Sequence, residues 1–250
     1  MTRILLNGAS GKMGRVIAAC IAGRADSEIA AGADVSPFPG VDFPMFTTVT
    51  DCTVPVDVIV DFSHPAALAS VLEYASQHRV GAVIATTGLS QNQEDEVKRA
   101  AESVPVFRSG NMSLGINLLM ELIKKAAGVL RDFDIEIVEA HHNQKLDAPS
   151  GTAFMLADAA AFACDSPKSY EYDRHSRRAK RRREEIGIHS VRGGTIVGEH
   201  EVIFAGHDEI ITLSHSARSK EIFAVGAINA AIFLAGKEPG LYDMSDLVNA

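Results

Sequence analysis

The sequence lacks tryptophan, has only three cysteines, and contains no apolar run long enough to cross a membrane. Cys20, Cys52 and Cys164 are far apart and form no CxxC pair, so we expect neither a zinc site nor a disulfide framework, and no other metal site is expected. The first residues run directly into an apolar stretch without the layout of a signal peptide. These absences favour reduced thiols and a cytoplasmic location.

An excess of positive charge is also missing. The 250 residues carry a formal net charge of −8, and 46% of them are hydrophobic. Binding to nucleic-acid phosphates needs a positive field, so the protein as a whole is not expected to bind nucleic acid. The hydrophobic content is enough for one or two buried cores, which predicts a globular protein with a small-molecule partner.

A glycine-rich loop follows the first apolar stretch, residues 3–7, and leads into an amphipathic helix. It consists of Gly8, Ala9, Ser10, Gly11, Lys12, Met13 and Gly14. Such a loop lets a pyrophosphate approach the backbone and lie at the helix N-terminus. The spacing G-x-x-G-x-x-G departs from the commoner G-x-G-x-x-G, so a plain tight turn is the alternative.

The second predicted strand, residues 28–33, ends at Asp34, about twenty residues after the last glycine of the loop, where a ribose-binding acid is expected. A carboxylate there accepts hydrogen bonds from both ribose hydroxyls of NADH and repels the 2′-phosphate of NADPH. The next residue, Val35, adds no cation, whereas Lys12 and Arg15 lie on or beside the loop. We therefore predict NADH as the preferred cofactor, with NADPH still usable.

Strands and helices alternate through the first part of the chain. Apolar runs at residues 58–61, 82–85 and 104–108 are separated by helical patterns, which predicts a doubly wound parallel sheet. Ligands bind beyond the carboxyl ends of such strands. Residues 35–56 form an irregular connection to which the sequence assigns no function.

Residues 138–153 crowd three bases into a short stretch that leads into a helix start. His141, His142 and Lys145 fall within five residues. A turn could bring the amine beside one imidazole, which would make a proton donor for acid–base chemistry near neutral pH. The helix start that follows, from Pro149 through Ser150, suits a carboxylate. A structural loop with satisfied histidines is the alternative.

Residues 139–153, Glu-Ala-His-His-Asn-Gln-Lys-Leu-Asp-Ala-Pro-Ser-Gly-Thr-Ala, closely resemble the signature of the dihydrodipicolinate reductase family of bacterial lysine and diaminopimelate synthesis. The resemblance extends to the glycine loop, Asp34, and residues 85–88, 111–117, 193–200 and 240–244.

The resemblance implies NAD(P)H-dependent reduction of 4-hydroxy-tetrahydrodipicolinate, a small dicarboxylate. His141 would be the proton donor and Lys145 a second donor. The implied substrate contacts are His142, Ser150, Gly151 and Thr152. Further implied cofactor contacts are Ala85, Thr86, Thr87, Ser109, Gly110, Asn111 and Met112.

The predicted architecture is α/β, with a Rossmann-like doubly wound parallel sheet and a second α+β domain that has an open mixed sheet. We assign residues 1–112 and 219–250 to dinucleotide binding, and residues 113–218 to substrate binding and oligomerisation. Residues 186–191, 199–205 and 209–215 alternate in the manner of antiparallel strands. One face of that sheet needs cover, and together with the resemblance this predicts a homotetramer.

Two other functions remain open at this stage. One is another two-domain dehydrogenase that acts on an amino or diamino acid, and the other is a non-catalytic dinucleotide sensor. The basic tract at residues 174–183 is a composition anomaly. It is interpreted as a solvated loop, a substrate-steering lid or a subunit contact; without interleaved aromatics, nucleic-acid binding is not favoured.

Overall fold

A computed structural model describes residues 1–176 and 178–250. The chain divides into two compact units: unit 1 comprises Met1–Leu114 and Lys220–Ala250, and unit 2 comprises Gly115–Ser219. Dinucleotide binding by the first and substrate binding by the second stay predictions. Arg177, part of the basic tract, lies outside the described residues. None of the helices in the described ranges has both the length and the apolar character needed to span a membrane.

The strands are β1 (Thr2–Asn7), β2 (Ser27–Ala33), β3 (Met45–Phe46), β4 (Val58–Asp61), β5 (Gly81–Ile84), β6 (Pro105–Arg108), β7 (Asp134–His141), β8 (Ser169–Glu171), β9 (Glu185–Arg192), β10 (Gly198–Ala205), β11 (Ile210–Ala217) and β12 (Gly240–Tyr242). The helices are α1 (Lys12–Ile21), α2 (Leu68–His78), α3 (Gln91–Ala100), α4 (Leu114–Val129), α5 (Gly151–Phe162), α6 (Glu221–Leu234) and α7 (Met244–Val248), with short 3-10 helices at Val49–Asp51 and Pro65–Ala67.

Unit 1 is built on a parallel sheet with the strand order β12-β6-β5-β4-β1-β2-β3. Side chains alternate along β1, so Ile4 and Leu6 enter one apolar core and Leu5 enters the other. Helices α1 and α6 cover the first face, and α2 and α3 cover the second. Every residue of β4 and β5 is buried, as strands covered on both faces require. The predicted doubly wound parallel sheet is confirmed.

Unit 2 is built on a mixed sheet with the strand order β11-β10-β7-β9-β8. β10 is antiparallel to β7 and β11, whereas β9 is parallel to β7 and β8. The expectation that all three late strands follow an antiparallel pattern is therefore wrong for β9, although the predicted mixed sheet is confirmed. The connection from β9 to β10 crosses the end of β7: Gly193 N donates to His141 O (2.9 Å), and Asn143 N donates to Gly194 O (3.2 Å). This crossing places β7 between the two strands.

The central strand β7 carries its core residues and its polar residues on the same face. Ile135, Ile137, Glu139 and His141 are spaced two apart, so their side chains all point to that face. The first two pack into the apolar core with α4 and α5. At the carboxyl end the same row continues with a carboxylate and an imidazole, so the pattern that builds the core also positions the polar cluster.

Candidate active site

Unit 1 contains a cleft of about 470 Å³ at the carboxyl ends of β1, β2 and β4. Three predicted cofactor residues, Gly8, Gly11 and Asp34, line it. Its remaining lining residues are Asn7, Val35, Thr47, Thr48, Val49, Phe62, Ser63, His64, Ala66, Ala67 and Ser70. The cleft therefore lies where ligands bind in doubly wound sheets.

The glycine loop has the geometry that a pyrophosphate needs. Gly8 has φ +79°, and a Cβ there would lie 2.5 Å from Phe62 O. A Cβ on Gly14 would lie 2.3 Å from Gly8 O, so α1 packs directly on the loop. Within the described residues, α1 has no side-chain cap at Gly11 and no acid in its first turn. Its positive end is thus suited to an anion, and the residues fit a dinucleotide.

Asp34 joins the end of β2 to the glycine loop. Its carboxylate accepts hydrogen bonds from Ser10 N (3.0 Å) and Ser36 N (2.9 Å). Arg15 Nε donates to Ser10 O (2.9 Å), and its guanidinium lies 4.5 Å from the centre of the Phe38 ring. A carboxylate and a fixed cation therefore flank the same turn, while Lys12 and Val35 are exposed.

The other predicted cofactor residues divide into buried and exposed positions. Ala9, Ala85 and Met112 are buried apolar residues, and Met13 packs against the core. Thr86 Oγ1 donates to the buried Asp61 carboxylate (2.7 Å). The Ser109 hydroxyl donates to Asn111 O (2.9 Å), and Asn111 Oδ1 accepts from Ser113 N (2.9 Å). Thr87 and Gly110 are exposed. The buried side chains stabilise the strand ends, and cofactor contacts of all these residues stay a prediction.

Sequence reasoning gave no function to Thr47, Thr48 and Val49, which line the cleft. They follow β3, a two-residue strand too short to read from the sequence pattern. Arg108 was also missed. Its guanidinium forms an ion pair with Glu94 (2.7 Å) and donates to the carbonyls of Ile84, Thr86 and Ser109. This one side chain ties two of the predicted cofactor segments together, and a lone strand-end arginine gives no sequence signal for that role.

In unit 2 a polar cluster centres on Glu139, whose side chain is fully buried. His141 Nδ1 lies 2.6 Å from Glu139 Oε2. Arg192 contacts both carboxylate oxygens, with Nη1 to Oε2 at 2.8 Å and Nη2 to Oε1 at 2.7 Å. Ser150 N donates to Oε1 (3.2 Å). The strand register accounts for this meeting, because His141 is paired with Arg192 on β9 and Glu139 is paired with His200 on β10.

Glu139 is held ionised despite its burial. Desolvation raises its pKa, but hydrogen bonds from Arg192, Ser190 and His141 outweigh desolvation and lower the pKa to about 2. The bidentate guanidinium contact is the strongest geometry available for such a pair. The cluster therefore contains a carboxylate that acts as a hydrogen-bond acceptor at any physiological pH.

His200 is the second imidazole of the cluster. Its ring centre lies 5.2 Å from that of His141, and its Nε2 lies 3.0 Å from Ser150 Oγ. Burial, followed by the charge of His141, lowers the pKa of His200 to about 4, so this ring is neutral at physiological pH. Sequence reasoning did not select His200 for a role, because its position beside β7 depends on strand register.

Lys145 does not pair with an imidazole, which was the arrangement considered from the sequence. Its Nζ lies 2.8 Å from Asp147 Oδ1, and the hydrogen bond from Lys145 lowers the pKa of the Asp147 carboxyl. His142 follows β7, is half-buried, and accepts a turn hydrogen bond from Lys145 N through its carbonyl (3.1 Å). Each of the bases His141 and Lys145 thus has its own carboxylate partner.

The predicted carboxylate-binding site at the start of α5 has one buried residue and two accessible ones. Ser150 is buried, and its Oγ accepts from Ala153 N (3.1 Å) as the N-cap. Its amide is already bonded to Glu139, so Ser150 faces the interior. Gly151 is exposed and Thr152 is half-buried. These two residues are the accessible part of the helix start.

The basic tract is bound to the acidic edge of unit 2 instead of being fully solvated. Arg174 contacts Glu136 (2.7 Å) and Glu185 (2.8 Å), and Arg181 contacts Asp134 (2.6 Å). Glu136 also accepts from His189 Nε2 (2.8 Å). Further ion pairs in this tract are Arg182–Glu185 and Arg183–Asp132. The solvated-loop interpretation is therefore wrong for Arg174 and Arg181, whereas Arg182 and Arg183 remain mostly exposed.

Comparison with known proteins identifies the family and supports the fold. Family models described as "Dihydrodipicolinate reductase, N-terminus" and "Dihydrodipicolinate reductase, C-terminus" match residues 2–112 and 115–248. The 4-hydroxy-tetrahydrodipicolinate reductase of Caldanaerobacter subterraneus subsp. tengcongensis is 50% identical over 248 residues, covering 99% of this chain and 98% of the relative. The enzyme of that name from Clostridium tetani is 45% identical over 251 residues, covering 100% and 98%. A solved structure, dipicolinate-bound dihydrodipicolinate reductase from Paenisporosarcina sp. TG-14, has a TM-score of 0.84 and 27% identity, with 97% of each chain covered. This chain belongs to the dihydrodipicolinate reductase family.

Proposed function

We propose that this chain catalyses the NAD(P)H-dependent reduction of 4-hydroxy-tetrahydrodipicolinate to tetrahydrodipicolinate, a step of lysine and diaminopimelate synthesis, in the cytoplasm. The observation that carries the proposal is the cluster in unit 2, where His141 ends β7 with one ring nitrogen on the buried Glu139 carboxylate. Relatives named for this reaction match the full length of the chain. The related structure with bound dipicolinate, a ring dicarboxylate, supports a substrate of that shape.

The reaction consumes one hydride and one proton after the 4-hydroxyl group has left as water. When bound, the reduced nicotinamide supplies the hydride to one ring carbon. His141 supplies the proton to the neighbouring carbon from Nε2, because Nδ1 is held by Glu139. The imidazole then regains a proton from solvent, which balances the step. Lys145 is the second donor, positioned by Asp147.

The substrate carboxylates bind at the start of α5 and beside the basic side chains. Gly151 and Thr152 present the positive end of the helix, which favours an anion. Lys145 offsets carboxylate charge, and His142 contacts the substrate. Ser150 contributes from inside the protein by capping the helix and bonding Glu139. A dicarboxylate is therefore matched by one helix start and by the Lys145 cation on the preceding loop.

NADH is the preferred cofactor and NADPH is usable. The Asp34 carboxylate lies at the cleft, where it can accept hydrogen bonds from ribose hydroxyls and repels a 2′-phosphate. Val35 is 87% exposed and offers no cation. Arg15, fixed against Ser10 and Phe38, is the group that moderates the repulsion.

The chain assembles as a homotetramer. The edge strand β11 of unit 2 exposes Ile210 (68%) and Ile211 (38%), and Val191 on β9 is 48% exposed. Exposed apolar residues on a sheet favour burial against another subunit.

The test is oxidation of NADH and NADPH, followed by absorbance, with substrate generated enzymatically in the assay. Turnover with this substrate is the expected result. Activity only with amino or diamino acids would assign the chain to the rival class of dehydrogenases. Tight dinucleotide binding without turnover on any of these substrates would make it a sensor.

A further inference from the structure

The arrangement around His141 determines which of its nitrogens can act on a substrate. Nδ1 lies 2.6 Å from Glu139 Oε2, and an ionised carboxylate can only accept hydrogen bonds. Nδ1 must therefore carry a proton in both charge states of the ring. Nε2 is the nitrogen that gains and loses the transferable proton.

The neighbouring backbone leaves space at Nε2. Gly198 begins β10, and an added Cβ there would lie only 3.1 Å from His141 Nε2. Such a contact is tighter than nine in ten real Cβ contacts, so the imidazole would have to shift by a few tenths of an ångström. Because Gly198 has no side chain, it does not crowd His141 Nε2, the nitrogen that is not in contact with Glu139.

We propose that Glu139 is a positioning residue for the reaction. It fixes the His141 ring with Nδ1–H inward and stabilises the protonated ring as the proton donor. This rests on the proposed function in the role it gives to His141. Glu139 itself is fully buried, so its side chain is not accessible to a substrate. It acts through the imidazole, in the way that a carboxylate orients a histidine ligand or base.

The charges that face His141 come from each element packed around it. The charged groups are Glu139 on β7 and Arg192 on β9, and the titratable ring of His200 lies on β10. Lys145 and Asp147 form an ion pair on the loop after β7. Arg192 is balanced by Glu139, Lys145 is balanced by Asp147, and His200 is neutral. Removing the Glu139 charge would leave the Arg192 cation unbalanced, which disfavours a second cation on His141.

The substitution Glu139→Gln keeps the shape and removes the charge. We expect kcat near neutral pH to fall about tenfold to hundredfold. The basic limb of the kcat pH profile should move to lower pH, because the unbalanced Arg192 cation disfavours a second cation beside it. The dissociation constant for NADH should not change.

A matched control lies on the opposite face of the same strand. Like Glu139, Glu136 contacts both arginine and histidine side chains, and its partners are Arg174, Arg181 and His189. Glu136→Gln should lower stability and leave the pH profile in place. If both variants shift the profile equally, the effect is structural and the inference is overturned.

A double-mutant cycle with His141→Ala separates positioning from a general structural role. If Glu139 acts through His141, Glu139→Gln should have almost no further effect on kcat in the His141→Ala background. Additive losses would overturn the inference, while turnover by the wild type would leave the proposed function standing.

A measurement on the wild-type protein covers the case in which Glu139→Gln does not fold or the substrate is wrong. Nitrogen-15 spectra of labelled histidine side chains report which ring nitrogen carries the proton. Nδ1 of His141 should be protonated on both sides of its titration. An Nδ1 without a proton in the neutral ring would overturn the inference whatever the substrate.

Discussion

His200 gives the sharpest prediction about stability because the folded chain resists its protonation. The residue is 5% exposed, and burial, followed by the charge of His141, lowers its pKa from 6.5 to about 4. The unfolded chain binds a proton near pH 6.5 that the folded chain does not bind until about pH 4. Stability is therefore complete above pH 6.5 and is lost as the pH falls towards 4.

The magnitude follows from the difference between the two pKa values. At about 1.4 kcal/mol for each pH unit, the full loss is about 3 kcal/mol, and about 2 kcal/mol of it falls between about pH 7 and about pH 5. The pKa of Glu139 is about 2, so stability from its ionisation is lost only as the pH falls below its ordinary value of 4.5. The two contributions thus occupy different pH ranges.

The assay is urea unfolding at about pH 7 and at about pH 5, monitored by circular dichroism. His200→Gln keeps a side-chain amide that can bond Ser150 Oγ but removes the titration. The control is His207→Gln, the same change at a ring that is 96% exposed. Between about pH 7 and about pH 5, the free energy of unfolding of the wild type and of the control should fall by about 2 kcal/mol more than that of His200→Gln. If the two units unfold in separate transitions, the difference should appear in the transition of unit 2. Equal losses in all three proteins would refute the burial argument.

Three further outcomes are expected. Val35→Arg should raise the NADPH to NADH ratio of kcat/KM, because an arginine beside Asp34 supplies a phosphate partner, and an unchanged ratio would remove Asp34 from the ribose site. Lys145→Ala should lower turnover about 10²–10⁴-fold while the NADH dissociation constant is unchanged, and near-native turnover would exclude a donor role. Light scattering at micromolar concentration should give a tetramer mass; a monomer mass would mean that the exposed Ile210 and Ile211 are not an interface.

Local patterns predicted much of the fold from the sequence. Apolar runs separated by helical patterns, together with the glycine loop that begins at Gly8, identified the parallel sheet and its loop. The run from His141 to Ser150 marked the polar cluster and the helix start. These signals are short-range, so each can be read from one segment of chain.

The partners of the cluster could not be predicted in the same way. Arg192 and His200 meet Glu139 because β9 and β10 flank β7, and this depends on a crossing at Gly193 and Gly194 that no local pattern specifies. Charge patterning failed similarly for Arg174 and Arg181, since Glu136 lies 38 residues from Arg174 and Asp134 lies 47 residues from Arg181.

The role of His141 as proton donor is tested most directly by comparing the wild type with His141→Ala, using NADH and enzymatically generated 4-hydroxy-tetrahydrodipicolinate. Substrate turnover and NADH binding are measured on the same preparations. The variant is expected to lose about 10²–10⁴-fold in kcat and to keep the wild-type dissociation constant for NADH. Near-native kcat in the variant would contradict this role, because the proton would then come from a group other than His141.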